Sequence, residues 1–341
     1  IPLLFLKANG SVYFTGNEVE NFNKKLVYPT GTVDASRTAS ASFSRGTQQQ
    51  HNVTAEYSKA IDKHSATILV GGEYFDTKSF ALSAAGRGAP TDDIYTLNSA
   101  VERTSISSTK SEYRMLSGFG RLNYDYDSRY LFTAVMRYDG TSALKENRWG
   151  AFPGMSAGWN IHNEQFFKSS SLSQHISALK PRVSYGVNGN IAGIGTYEVQ
   201  GVYAITTNYD AESSYLNTSI INSKLRWEKS TSLDAGVEAG LWNNRLFLNL
   251  NFYRRVTSDL LANLSLPRYT GFSSFRTNLG SLENKGFEFE VIAQILNLPN
   301  GLKWDLGFNA AYVKNKILEL PYNGVENNRQ GGWQIYDPSS G

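Results

Sequence analysis

Arg137-Tyr138-Asp139-Gly140-Thr141-Ser142, then Arg148-Trp149-Gly150-Ala151-Phe152-Pro153, then Trp159-Asn160, is the stretch on which the fold turns. Just upstream and overlapping it, Tyr130-Leu131-Phe132-Thr133-Ala134-Val135-Met136-Arg137-Tyr138 is almost continuous β-former with no Gly or Pro, which predicts a strand. Asp139-Gly140 breaks the run as turn residues do. In the second strand Pro153, Met155, Ala157, Trp159 and Ile161 share one face, while Gly154, Ser156, Gly158 and Asn160 share the other. One face is apolar and the other small or polar, which suits a partition between hydrocarbon and water.

Working outward, the same period of two recurs in segments near the ~9–11 residues of a tilted membrane strand. Leu246, Leu248, Leu250 and Phe252 alternate with Phe247, Asn249, Asn251 and Tyr253. Trp227, Thr231, Leu233, Ala235, Val237 and Ala239 alternate with Glu228, Ser230, Ser232, Asp234, Gly236 and Glu238. Phe287, Phe289, Val291, Ala293 and Ile295 oppose Glu288, Glu290 and Gln294; Trp304, Leu306, Phe308, Ala310 and Tyr312 oppose Asp305, Gly307, Asn309 and Ala311. A further alternation is expected over Val33–Phe43, with Arg37 interrupting its apolar face. Aromatics gather at strand ends (Tyr124, Tyr126, Tyr130, Trp304, Tyr312), where rings with a polar edge meet lipid headgroups.

The connections alternate in length. Short ones are expected near Asp62-Lys63-His64, Asp125–Arg129, Trp242–Arg245 and Leu298–Gly301, with a moderate one over Asn163–Ala178. Long polar ones are expected over Lys78–Lys110, Asp139–Gly150, Asn188–Lys224 and Ser258–Lys285. Short turns on one rim and long loops on the other are the arrangement of outer-membrane barrels.

Composition agrees. Tyr (20), Phe (18) and Gly (30) are abundant, which favours hairpins over helices, and no apolar run approaches a spanning helix. No cysteine is present, so disulfides and thiolate metal sites are excluded. A net charge of +3, with no basic run, gives no footprint for nucleic acid. The ends, Ile1-Pro2-Leu3 and Pro338-Ser339-Ser340-Gly341, read as interior to a longer polypeptide. Residues 1–341 read as part of one barrel domain.

Catalytic and metal chemistry find little support. His51, His64, His162 and His175 lack metal-ligand spacing. Gly189-Asn190-Ile191-Ala192-Gly193-Ile194-Gly195 lacks the Lys-Ser/Thr of a phosphate loop. Asp92-Asp93 lacks the convergent oxygens of a cation site and reads as turn. Glu228, Asp234, Glu238, Glu288 and Glu290 recur on strand after strand and read as a hydrated wall paired with bases such as Arg182 or Arg226, not a paired-carboxylate hydrolase. No catalytic, cofactor or metal residue is assigned. The candidate ligand contacts are the loop aromatics Tyr197, Tyr203, Tyr209, Tyr215, Tyr322 and Trp333, whose rings suit sugars or peptide side chains.

The chain resembles the SusC/RagA family of TonB-dependent outer-membrane transporters. The opening stretch carries the resemblance, followed in order by Leu179-Lys180-Pro181-Arg182-Val183-Ser184-Tyr185-Gly186 with Gly189-Asn190, and Leu225-Arg226-Trp227-Glu228 with Asp234-Ala235-Gly236 and Phe252-Tyr253. Asn278-Leu279-Gly280, Asn284-Lys285-Gly286-Phe287-Glu288 and Asn315-Lys316-Ile317 complete it. The resemblance implies an all-β fold, a transmembrane antiparallel β-barrel of which the chain supplies half or more of a wall of about 22 strands. It implies a place in the bacterial outer membrane, contact with its lipid and with the remaining segments of the same barrel, and no enzymatic role. It further implies import of oligosaccharides or peptides, capping by a SusD-like surface lipoprotein, and drive from the TonB complex through segments N-terminal to this sequence. No plug domain is read in these residues. The alternative is a surface glycan-binding or adhesion β-protein without transport. A barrel-embedded hydrolase is weaker, because no catalytic motif converges.

Overall fold

A computed structural model of the chain describes residues 3–201, 203–209, 212–298 and 301–320. Eleven strands form one sheet whose spatial order is the chain order. They are β1 (Leu3–Phe22), β2 (Ala39–Ile61), β3 (His64–Arg87), β4 (Glu102–Tyr126), β5 (Tyr130–Thr141) and β6 (Trp149–Trp159), then β7 (Ile176–Asn190), β8 (Glu228–Leu241), β9 (Leu246–Ser258), β10 (Ser281–Asn297) and β11 (Lys303–Glu319). The ladders from β5 to β11 are all antiparallel. Two compact units are distinguished: one built on Thr54–Gly71 and the chain from Ser117 onward, the other on Lys7–Val53 and Gly72–Leu116.

Tight turns join β4 to β5, β8 to β9 and β10 to β11, and the longer connections 142–148, 191–227 and 259–280 leave the opposite ends of their strands. The local chemistry of the tight turns is clear. Asp127 and Ser128 both have φ of 53°, the left-handed pair of a type I′ hairpin, and the Asp125 carboxylate accepts the Ser128 N–H at 2.7 Å. Trp242, Asn243 and Asn244 are likewise left-handed, and Ser177 Oγ accepts the Asn244 N–H at 2.9 Å. The moderate connection 160–175 holds one α-helical turn, α1 (Gln165–Lys168), flanked by 3-10 turns at Ile161–Asn163 and Ser171–Gln174.

Register carries the alternation of single strands across the sheet. Ala239, Leu248, Val291 and Phe308 lie in one row, and Ala235, Phe252, Phe287 and Tyr312 in another. Glu238, Asn249, Glu290 and Asn309 form a row of opposite parity, so they occupy the other face. The apolar face is not buried by the chain: Phe252 is 54% exposed and Phe287 40%. Aromatic rings bound it. Towards the tight turns, Tyr130 stacks on Tyr126 and on Trp159, each at 6.2 Å. Towards the long connections, Tyr138 stacks on Trp149 at 5.1 Å. Tyr130 and Tyr138 are roughly 26 Å apart along β5 at ~3.3 Å per residue, close to the height of an outer-membrane apolar band.

Three expectations are corrected. Strands outrun the band: β4 has 25 residues and β3 has 24. Much of the expected loop Lys78–Lys110 is therefore strand, with only residues 88–101 connecting. The strand expected from Val33 begins at Ala39, because Arg37 bends the chain at φ 37°. The reason is the same in the first two cases. Alternation is imposed only where one face meets hydrocarbon, and a ribbon wet on both faces needs none. In the second unit these ribbons are held by polar rungs, Ser79 to Ser111 at 2.6 Å, Ser83 to Ser107 at 2.8 Å and Gln50 to Glu73 at 3.0 Å.

Candidate functional site

The polar face and the bases of the long connections make the site. Phe152, on β6, lies across the backbone at Gly150 and Gly189, where an added Cβ would overlap its ring. Only glycine permits that approach. Trp227 meets Phe152 edge to face at 5.2 Å, and its Nε1–H donates to Arg148 O at 3.1 Å. Leu144, Val199 and Leu225, in the connections 142–148 and 191–227, are each 1% exposed.

Amide groups fasten the loop bases around it. The Asn278 amide accepts the Arg226 N–H at 2.9 Å and donates to Arg226 O and Asp259 O, both at 2.8 Å. Arg226 also pairs with Asp259 at 2.6 Å. Asn147 Nδ2 donates to Lys224 O at 2.9 Å. The connections 142–148, 191–227 and 259–280 are thereby tied where they leave the sheet. Asn278 and Trp227 stand in the sequence motifs, but this role is not legible there, because each acts on chain remote in sequence.

Beneath the knot lies a hollow of about 700 Å³, with Phe119, Arg121, Arg137, Asp139, Phe152 and Asn188 in its wall. Arg137 is clamped in it. Its guanidinium reaches Asp139 at 2.8 Å, donates to Ser117 Oγ at 2.9 Å and sits 5.5 Å over the Phe119 ring. Further along the polar face, Arg182 pairs with Glu238 at 3.0 Å and donates to Asn249 at 3.3 Å, while Lys180 reaches Glu238 at 3.6 Å. The expected pairing of Arg182 with wall carboxylates is present; Arg226 pairs with Asp259 instead of a wall carboxylate. Glu228, Asp234, Glu288 and Glu290 stay on separate register rows, and of the four only Glu288 and Glu290 share one hollow, with Asn249 and Asn309, among the described residues.

Of the loop aromatics, Tyr203 and Tyr215 are brought together. They take diagonal positions on one face of the hairpin Tyr203–Tyr209/Glu212–Asn217, and are 64% and 74% exposed. Tyr209 ends the first strand of that hairpin. Tyr197 borders a helical turn at 198–200. Tyr322 and Trp333 lie outside the described residues. Asp92 is committed elsewhere: it accepts the Lys25 N–H at 3.1 Å and the Arg37 guanidinium at 2.6 Å, which hold its carboxyl below the usual range. His64 Nδ1 meets the Tyr124 hydroxyl at 2.7 Å, and His162 Nδ1 accepts the Leu179 N–H at 3.2 Å.

The chain is similar to known proteins. Residues 4–337 match the family of TonB dependent receptor-like β-barrels. The chain is 36% identical over 273 residues to TonB-dependent receptor P3 of Formosa agariphila, covering 78% of this chain and 27% of that protein. It is 35% identical over 286 residues to TonB-dependent receptor SusC of Bacteroides thetaiotaomicron, covering 79% and 27%. A solved RagAB peptide transporter superposes with a TM-score of 0.84 at 26% identity, over 94% of this chain and 35% of that one. The chain thus spans about a quarter of the curated relatives' length. Its apolar face is the lipid-facing surface of an outer-membrane barrel, its polar face looks into the lumen, and its long connections are extracellular. The chain belongs to the TonB-dependent receptor β-barrel family.

Proposed function

We propose that this chain is part of the single barrel domain of a SusC-type nutrient importer, admitting oligosaccharides or peptides across the outer membrane. The observation that carries the reading is the two-faced ladder β8–β11, with lipid-compatible rows on one side and rows bearing Glu238, Asn249 and Glu290 on the other. A lumen wall of this kind keeps water and solute in contact with charge that is already paired, as Arg182 is with Glu238. Arg137 and the hollow around it offer cargo one anchored cation under the loop knot. Tyr203 and Tyr215 offer exposed rings above it, with Tyr197, Tyr209, Tyr322 and Trp333 as further contacts. A SusD-type lipoprotein caps the extracellular rim, and the TonB complex supplies energy through parts of the protein outside these residues. No residue here is given a catalytic role.

The test uses the full-length protein in cells lacking their own copy. Accumulation of a labelled oligosaccharide or peptide is expected to return with the protein and to vanish when the proton gradient is dissipated. Surface binding without accumulation would favour the adhesion reading. The Tyr203→Ala/Tyr215→Ala double variant is expected to raise the half-saturating cargo concentration about tenfold at unchanged protein level, at roughly 0.5–1.5 kcal/mol per ring contact.

A further inference from the structure

The face read above as lipid-facing carries a row of charge. Arg254, Lys285 and Lys314 are directly opposite one another on β9, β10 and β11. They share parity with Phe252, Phe287 and Tyr312, so they lie on the apolar face. They stand one pleat, about 7 Å, beyond that aromatic row. The long connection 259–280 joins β9 to β10 at this end, which sets the row at the extracellular edge of the band.

Like charges placed directly across a ladder repel. A single carboxylate answers them: Glu283, 5% exposed, pairs with Arg254 at 2.6 Å and Lys285 at 3.7 Å. Lys314 has no acidic partner among the described residues, and Lys316, opposite Glu283, adds a further cation at the same edge. The Arg254 and Lys285 side chains remain 59% and 55% exposed. Beside them is a shallow hollow of about 430 Å³ whose walls are Ala235, Phe252, Phe287 and Tyr312 on one side and Leu233 with the three cations on the other. Apolar walls ending in fixed cations match a molecule with acyl chains and a phosphate.

We propose that Arg254, Lys285 and Lys314 form a binding site for a phosphate-bearing lipid of the outer leaflet. Its acyl chains lie over Phe252, Phe287 and Tyr312, and its phosphate accepts hydrogen bonds from the guanidinium and the two ammonium groups. Glu283 positions Arg254 and Lys285 side by side, leaving net positive charge for the headgroup.

The full-length protein, extracted from outer membranes in mild detergent, is washed and its retained phospho- and glycolipids are quantified by mass spectrometry. The K285Q/K314Q variant, which keeps the Arg254–Glu283 pair intact, is expected to retain about tenfold less phosphate-bearing lipid, since each cation near a membrane surface contributes several-fold. R255Q, on the lumen face, is expected to retain the wild-type amount. Retention by the unaltered protein is expected to fall as salt rises, a measurement independent of whether any variant assembles. Equal retention by K285Q/K314Q and wild type, retention insensitive to salt, or displacement of the lipid by inorganic phosphate alone would overturn the proposal.

Discussion

The ladder β8–β11 and the knot at the base of the extracellular loops derive their order from different sources. In the knot, Phe152 and Trp227 are each 6% exposed and pack against their own chain. In the ladder, Phe252 is 54% exposed and Leu306 55%, although both sit in regular hydrogen-bonded strands. The first region carries its own core. The second is completed by its solvent, since hydrocarbon does for its side chains what neighbouring residues do for Phe152. Damage to each should therefore show in different measurements.

The largest effect is expected from Phe152→Ala, at about 3–5 kcal/mol for a buried aromatic truncated to alanine. It should loosen the loops, seen as faster protease nicking within residues 191–227, while the barrel stays heat-resistant in gels. Nicking at the wild-type rate would mean the knot is not what orders the loops. Next comes Leu248→Arg, placed in the row midway between the Trp304 and Tyr312 rows, at about 2–4 kcal/mol for a cation at the bilayer midplane. The heat-resistant fraction in outer membranes should drop. Asn249→Arg should assemble normally, because its cross-strand partners are Glu238 and Glu290. Equal assembly of the two variants would break the division between faces.

A smaller effect should appear at the periplasmic rim. The Tyr130 hydroxyl first, then the Trp159 Nε1–H, holds the Glu164 carboxyl below its usual range, with Arg129 adding attraction. A depressed acid stabilises the folded state above its unfolded pKa, and that contribution is lost as pH falls through the folded value. Thermal melts of the full-length protein from pH 7 to 3 should show a decline below about pH 4. The Glu164→Gln variant should lack that component; identical curves would remove Glu164 from the rim's stability. Smallest of all, Ser83→Ala in the exposed ribbon should change stability by less than ~0.5 kcal/mol, against the Ser83–Ser107 contact of 2.8 Å. A larger loss would mean that the ribbon, too, is held by specific contacts.

The same contrast explains what could be read from the sequence. Leu246–Phe252 and Trp304–Tyr312 announced their strands because lipid forces alternate residues to be apolar. Residues 78–87 and 102–110 looked like loop because, with water on both faces, Ser and Thr serve on either parity. At the candidate site, the exposure of Tyr203 and Tyr215 is legible from the polar stretch around them. The clamp of Asn278 on Arg226 and Asp259, and the grip of Ser117 on Arg137, are not, since they pair residues 19 to 52 positions apart. Nothing local marks such partners.

The ring of Phe152, wedged over two bare backbone positions, works as a rivet between wall and canopy. Together with the Asn278 and Asn147 clamps it holds the loop bases to the strand ends, so a change at a loop tip is mechanically separated from the strands below.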